Sequence, residues 1–327
     1  MMAIMELSSW IEISSVFGAG FAMGFGAIGS AIGEGHAAAC ANAALSRQPS
    51  QAGEIVKIML LGQAIAESAA IFALLIAMIL LFSKPTMAPS PMEAIVLLSS
   101  GLCMGLGAIG SGIGSGFPAG SASIGIARQP GARKDITNIM LIGSAIAQTP
   151  SIFALVISLI LLFMDFSARA FSPSWAAFLG AGLSAGIGAI GSGIGEGLVA
   201  QSGCEGVARQ PVATGRVRNV MLLGMAVSET TAIYGLLIAM ILIFKTFPQS
   251  STISSAMALL GAGICMGIGA IGPGIGEGFT AQKAVTWVGR NEAVTSTLTR
   301  TMLVGQAVAE STGIYAMVIA LIMIFVL

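Results

Sequence analysis

GAIGSAIGEG at residues 26–35 returns as GAIGSGIGSG at 107–116, GAIGSGIGEG at 188–197 and GAIGPGIGEG at 269–278, at an interval of 81 residues each time. A second motif keeps the same step: LGQAIAES at 61–68, IGSAIAQT at 142–149, LGMAVSET at 223–230 and VGQAVAES at 304–311. Between them stands a polar turn, Arg47-Gln48-Pro49, Arg128-Gln129-Pro130 and Arg209-Gln210-Pro211, which drifts to Arg290-Asn291-Glu292 in the last copy. Self-similarity at a fixed period marks a repeated structural unit. With no insertion inside the motifs, the chain reads as one module duplicated and fused, over residues 1–85, 86–168, 169–249 and 250–327.

Each module reads as helix, short polar turn, helix. In the first, the apolar run from Ser14 to Ala44 exceeds the roughly 20 residues that cross a bilayer. A turn over Arg47–Gly53 follows, then a second apolar run from Ile55 to Phe82. Pro85, Pro89 and Pro91 break the chain before the next module. Composition agrees: 56% of the 327 residues are hydrophobic and only 9% charged, with a mean hydropathy of +0.94. A soluble domain carries about 25% charged residues. The expected fold is an all-α membrane protein in which eight transmembrane helices form four tandem hairpins surrounded by lipid. A formal charge of +0 offers no basic face to a nucleic acid.

Eleven of the fourteen Lys and Arg fall in or beside the turns within modules (Arg47, Lys57, Arg128, Arg133, Lys134, Arg209, Arg216, Arg218, Lys283, Arg290, Arg300). Lys84, Arg169 and Lys245 lie at the opposite ends. The positive-inside rule puts the turns in the cytoplasm and both termini outside. The N-terminal stretch MMAIMELSSWIEISSVF has acids and no Lys or Arg, so it lacks the basic region of a secretory signal and is expected to be retained. Trp10 and Trp175 fall near outer helix ends, where interfacial anchoring is expected.

The first helices contain a literal G-x-G-x-x-G, at Gly24-Gly26-Gly29 and again from Gly105, Gly186 and Gly267. A dinucleotide fingerprint needs a strand before it and a helix N-terminus to hold the pyrophosphate; these glycines lie within an apolar span. Small residues let membrane helices approach closely, and a helix with glycine at 24, 26, 29, 33 and 35 suits the packed inner wall of a ring. Ordinary helix–helix contact also satisfies them.

The second helices carry Glu67, Glu229 and Glu310, roughly 20 Å from the nearer helix end at 1.5 Å per residue. An acid at that depth costs at least ~2.5 kcal/mol and marks an ion or proton path by default. The first helices add Glu34, Glu196 and Glu277. The midpoint between 34 and 67 is the turn at Pro49-Ser50-Gln51, so Glu34 and Glu67 are expected at similar depth, with a shared proton or a cation between them. Ser68, Thr230 and Ser311, directly after the second-helix acids, add hydroxyl oxygens. Together these residues supply the oxygen cage that a hard cation such as Na⁺ requires. Module two departs at both places: Ser115 replaces the first-helix acid and Gln148 the second, with Pro150 just beyond. Four hairpins thus supply three chargeable sites. Cys40, Cys103, Cys204 and Cys265 show no metal-ligand spacing and read as small buried residues. His36 has no counterpart in other modules (Phe117, Leu198, Phe279) and reads as a packed side chain.

Along essentially its whole length, as four tandem copies, the chain resembles the c-subunit of F-type ATP synthases. The resemblance rests on the glycine-rich first helix, ARQP at 127–130 and 208–211, and GQAVAESTGIY at 305–315. It implies a homo-oligomeric ring that turns against the a-subunit of the membrane sector, whose arginine meets the second-helix glutamate, and turns that contact the central stalk. Those turns would be Arg47, Gln48, Pro49, Arg128, Gln129, Pro130, Arg209, Gln210, Pro211 and Arg290. The transported ion is H⁺ or Na⁺, with no organic cofactor.

Members that carry Na⁺ have a polar residue in the first helix, a Glu followed by Ser or Thr, a backbone carbonyl two residues before that Glu and a Tyr five residues after it. Module four carries the full set in Glu277, Val308, Glu310, Ser311 and Tyr315, and module three in Glu196, Val227, Glu229, Thr230 and Tyr234. Module one has Glu34, Ile65, Glu67 and Ser68, but Phe72 replaces the tyrosine, which predicts a weaker site. Sites in this family lie between neighbouring hairpins, so oxygens of adjacent modules or chains combine. The branch usually has Gln on the first helix, so the resemblance favours Na⁺ without fixing it.

Nothing in the chain resembles a nucleotide pocket or a nucleophile with its base. The expectation is a non-catalytic, ion-translocating rotor component in a prokaryotic plasma membrane. The alternative is a self-contained oligomeric channel outside any rotary complex.

Overall fold

The computed structural model describes residues 2–82, 90–166, 169, 171–249 and 252–326. Lys84, Pro85 and Pro89 lie outside the described residues. Hairpin one is α1 (Met2–Arg47) and α2 (Ala52–Phe82). Hairpin two is α3 (Pro91–Arg128), α4 (Arg133–Ile146) and α5 (Thr149–Phe163). Hairpin three is α6 (Phe171–Arg209), α7 (Thr214–Ser228) and α8 (Thr230–Phe244). Hairpin four is α9 (Ile253–Val288) and α10 (Thr295–Phe325). Among the described residues there is no strand.

Eight spans are long and apolar enough to cross a membrane. They run 34 to 41 residues, about 50–60 Å at 1.5 Å per residue, and so outrun a hydrocarbon core of about 30 Å. Two of the eight depart from the expected unbroken helices. The second helix of hairpin two is interrupted at Ala147–Gln148, and that of hairpin three at Glu229. Pro150 explains the first break, because its missing N–H leaves the Ile146 carbonyl without a helical partner. At the second, the Ala232 N–H donates to Ser192 Oγ at 3.1 Å as well as to the Glu229 carbonyl. The Ser192 hydroxyl of α6 also lies 2.9 Å from Thr231 Oγ1, so a side chain has entered the helical ladder.

The turns repeat as the sequence does. Gln48, Gln129 and Gln210 hold nearly one conformation, with φ of −141°, −138° and −139°. Each donates its N–H back to the preceding helix, at Ala44, Gly125 and Gly206. Pro49, Pro130 and Pro211 then open a 3₁₀ turn, where a residue without an N–H leaves no donor unpaired. Asn291 takes the same place with φ −143°, capping Ala293 N–H through its side chain. The drifted sequence keeps the same backbone bond, Asn291 N–H to the Trp287 carbonyl at 2.8 Å, and adds one from its side chain.

The first helices stand in a row, α1 beside α3, α3 beside α6 and α6 beside α9. Each second helix lies in the groove between its own first helix and that of the next hairpin; α10 has no next hairpin and is the least enclosed span. Glycine sets the spacing. A Cβ on Gly33 would stand 2.1 Å from the Gly112 carbonyl oxygen, on Gly114 1.9 Å from that of Gly193, and on Gly195 2.2 Å from that of Gly274. No side chain fits there, and the backbones touch as small-residue packing in membranes requires. At the ends of the row the same surface is open: a Cβ on Gly20, Gly24 or Gly35 of α1, or on Gly272 of α9, would meet nothing within 4 Å.

Candidate ion-binding site

Within hairpins one, three and four the two glutamates come together. Glu34 lies within electrostatic range of Glu67, Glu196 of Glu229, and Glu277 of Glu310. Glu196 and Glu277 are fully buried, and none of their carboxyl oxygens has a hydrogen-bond partner in the chain. A buried carboxyl with no donor holds a proton or faces a cation, since an unpaired buried charge costs several kcal/mol. Glu229 and Glu310 are half-buried, and Glu67, at the end of the row, is exposed.

The tyrosines are shared differently from the grouping by module. Tyr234 of hairpin three donates its hydroxyl to Glu310 of hairpin four, and it does not pair with Glu229 on its own helix. It reaches across the junction, bringing Thr230 alongside. Tyr315 does not turn back to Glu310; it is 65% exposed at the open end. Val308 and Ser311 share that end, with Ser311 Oγ donating to the Val308 carbonyl at 2.7 Å. The same clasp joins Ser68 to Ile65 at 2.6 Å and Thr230 to Val227 at 2.8 Å. In hairpin three, hydroxyl, carbonyl and phenol thus occupy one edge of the second helix, the edge toward hairpin four. Phe72 packs against the apolar cluster that includes Met104 and Ala108 of hairpin two.

The carboxylate-free junction between hairpins one and two is closed by an amide. Gln148 Nε2 donates to the Ile65 carbonyl of hairpin one at 3.0 Å and to Ser115 Oγ, and lies 3.5 Å from the Ser111 carbonyl. Ser151 Oγ donates to Gln148 Oε1 at 3.3 Å. Ser115 donates in turn to Ser111. The two residues that replace the acids form one buried hydrogen-bonded knot, in which a neutral N–H₂ sits where oxygens converge.

Several supporting residues carry no formal charge, so the pattern of acids does not reveal them. Gln63 Nε2 donates to the Glu34 carbonyl at 3.2 Å, and Gln306 Nε2 to the carbonyls of Glu277 at 3.3 Å and Gly224 at 2.9 Å. Ser30 Oγ donates to the Ala66 carbonyl at 2.8 Å. Each lies inside a motif that repeats every 81 residues, as a polar group in an apolar span, and that placement is the signal the sequence offers for them.

Arg47, Arg128, Arg209 and Arg290 all project exposed at the turn end of the molecule, Arg290 stacking 4.5 Å from the Trp287 ring centre. Neighbouring turns are linked by Glu54–Arg133 at 3.5 Å and Arg216–Glu292 at 2.9 Å, surface pairs of small energetic weight. His36 packs edge-on against Phe117 at 5.2 Å and 3.6 Å from Cys40 Sγ. All four cysteines are free thiols, Cys103 and Cys204 buried and Cys40 and Cys265 half-buried.

Comparison with known proteins gives the same fourfold division. The family model for the ATP synthase C-subunit matches residues 17–80, 98–161, 179–242 and 260–323. The A-type ATP synthase K-subunit of Methanocaldococcus jannaschii is 35% identical over 188 residues, 58% of this chain and 78% of that protein. The ATP synthase c-subunit of Petrotoga mobilis is 54% identical over 69 residues, 21% of this chain and 72% of that protein. That of Thermotoga petrophila is 52% identical over 67 residues, 20% and 79% of the two chains. With four copies of the hairpin matched in series, the chain belongs to the ATP synthase C-subunit family.

Proposed function

We propose that the chain is the rotor component of a rotary ATPase, carrying Na⁺ on Glu67, Glu229 and Glu310 in a ring built from several copies. The observation that carries this reading is the junction between hairpins three and four, where Glu310, Glu277, Tyr234, Thr230 and the Val227 carbonyl bring carboxylate, phenol, hydroxyl and carbonyl oxygens together. Hard cations take such all-oxygen sets. A cation there offsets the charge of a carboxylate and lets the loaded site face lipid, while a cationic group on a stationary partner competes for the carboxylate and releases the ion. The chain supplies no catalytic group of its own; ATP chemistry belongs to the soluble head, reached through the arginine-bearing turns on the cytoplasmic side.

The open glycine faces at both ends of the row support the ring. Gly24 and Gly35 of α1 are the counterparts of Gly105 and Gly116, which pack against Phe21 and Gly33. Unlike faces at the two ends join head to tail, and a head-to-tail contact that closes gives a ring. In such a ring one junction in four carries no ion, so fewer ions cross per turn for the same number of hairpins. That gearing favours ATP-driven pumping against a steep gradient over synthesis.

Carbodiimide labelling of the purified ring with and without Na⁺, read by peptide mass spectrometry, tests the assignment. Protection of Glu67, Glu229 and Glu310 by Na⁺ near neutral pH is the expected result. Labelling that follows pH and ignores Na⁺ identifies a proton rotor. A preparation that carries no soluble ATPase head under any extraction condition would turn the assignment toward a free-standing channel.

A further inference from the structure

The junctions inside the chain run in one direction. Tyr234 reaches forward to Glu310, 76 residues on. The Ile65 carbonyl reaches forward to Gln148 in the same sense. Carried along the repeat, the step of 76 pairs Phe72 with Gln148, Phe153 with Glu229, and Tyr315 with Glu67 of the following copy. The placement agrees at each point: Phe72, Phe153 and Tyr234 are half-buried in filled junctions, whereas Tyr315 and Glu67 are exposed at the two opposite ends.

Resting on the proposed ion-carrying role, we infer that the three sites are unequal, with Phe153 making Glu229 the weakest binder in the chain. Glu310 receives a phenol from Tyr234, and Glu67 receives one from the partner subunit's Tyr315. Glu229 faces a phenyl ring, which has neither an oxygen to lend the cation nor a proton to donate to the carboxylate. By the same repeat, hairpin two places Thr149 and the Ile146 carbonyl where hairpin three has Thr230 and the Val227 carbonyl. Pro150 leaves that carbonyl without its helical N–H, so it supplies one oxygen in partial replacement. Module two has therefore lost its own carboxylate and also fails to complete its neighbour's site. Phe153 acts as a specificity residue for a carboxylate on a different hairpin.

The test is carbodiimide labelling of the intact ring, quantified peptide by peptide, across a Na⁺ titration and, separately, across a pH series without Na⁺. Wild type is compared with Phe153→Tyr and Tyr234→Phe. The ionisable neighbours are Glu196 for Glu229, and Glu277 with Tyr234 for Glu310; the variants change none of the carboxyls. In wild type, half-protection of Glu229 should need about ten-fold or more Na⁺ than Glu310, the worth of one hydrogen bond to a charged group. Phe153→Tyr should close most of that gap. Tyr234→Phe should weaken Glu310 by a similar factor and leave Glu229, on its own hairpin, unmoved. Equal protection of the two in wild type overturns the inference, as does a Tyr234→Phe effect on Glu229. If Na⁺ protects nothing, the sodium reading fails, and the pH series still decides: Tyr234→Phe must move the labelling midpoint of Glu310 and not of Glu229, or the forward pairing is wrong.

Discussion

Gly35→Ala separates the folding of one chain from the joining of two. At the three junctions inside the chain the glycines equivalent to Gly35 are closed. A Cβ on Gly116 would stand 2.2 Å from the Gly33 carbonyl oxygen, on Gly197 2.3 Å from Gly114, and on Gly278 2.4 Å from Gly195. On Gly35 a Cβ would meet nothing within 4 Å. In the isolated chain the alanine is therefore free, and it favours the helix over glycine by about 1 kcal/mol. In a ring joined with the geometry of the inner junctions it would face backbone at about 2.3 Å, while ordinary contact begins at 3.4 Å. Two helices would have to part by about 1 Å along their whole contact. Overpacking of this kind costs about 1–3 kcal/mol, and it recurs at every joint between copies. Native mass spectrometry of the detergent-extracted complex, with a thermal melt followed by helical circular dichroism, reads both outcomes. The ring should dissociate at a temperature where wild type stays whole, while the helicity of the single chain is kept. Gly116→Ala should instead destabilise the chain itself. A Gly35→Ala ring of normal size and heat stability would refute the head-to-tail geometry.

Gln148→Glu puts an acceptor where an amide now donates to Ile65 at 3.0 Å; losing two buried donor bonds costs about 2–5 kcal/mol, measured as a lower melting temperature, and carbodiimide should modify a fourth peptide. Ser192→Ala strips one of the two acceptors from the Ala232 N–H, leaving the Glu229 carbonyl, a loss of about 0.5–1.5 kcal/mol that hydrogen exchange at that amide should reveal as faster opening. Pro150→Ala restores an N–H opposite the Ile146 carbonyl, which should stabilise the second hairpin by up to about 3 kcal/mol while raising the Na⁺ needed to protect Glu229. Glu310→Gln should reduce ATP-driven ion uptake in proteoliposomes to background; uptake at the wild-type rate would exclude Glu310 as a carrier.

Much of the fold was legible because it follows from a period and from apolar length, and both are one-dimensional properties. The glycines at 33, 114 and 195 announced close approach, and the Arg-Gln-Pro triplets announced the turns. The breaks at Gln148 and Glu229 were harder to read. Pro150 was visible, but at Glu229 the cause is a hydroxyl entering from α6, and nothing on the broken helix itself marks it. The ownership of Tyr234 was hidden for a related reason. Five residues along a helix from Glu229 suggests a partner on the same strip, yet the side chain points over the next groove, and only the packing of α8 between α6 and α9 decides that. Gln63 and Gln306 were overlooked because their work is to bond first-helix carbonyls, which leaves no charge pattern in the sequence.

Covalent fusion fixes the order of the hairpins as well as their number. Separate hairpins could assemble with two amide-closed junctions side by side, or with none; in the fused row the Gln148 knot can only recur once in every four places. Around a closed ring of such chains, the distance from one ion to the next would run two hairpins, then one, then one. The rotor would advance with an uneven gait, and its longest stride would always begin at Glu67 and end at Glu229, the carboxylate that faces a phenyl ring.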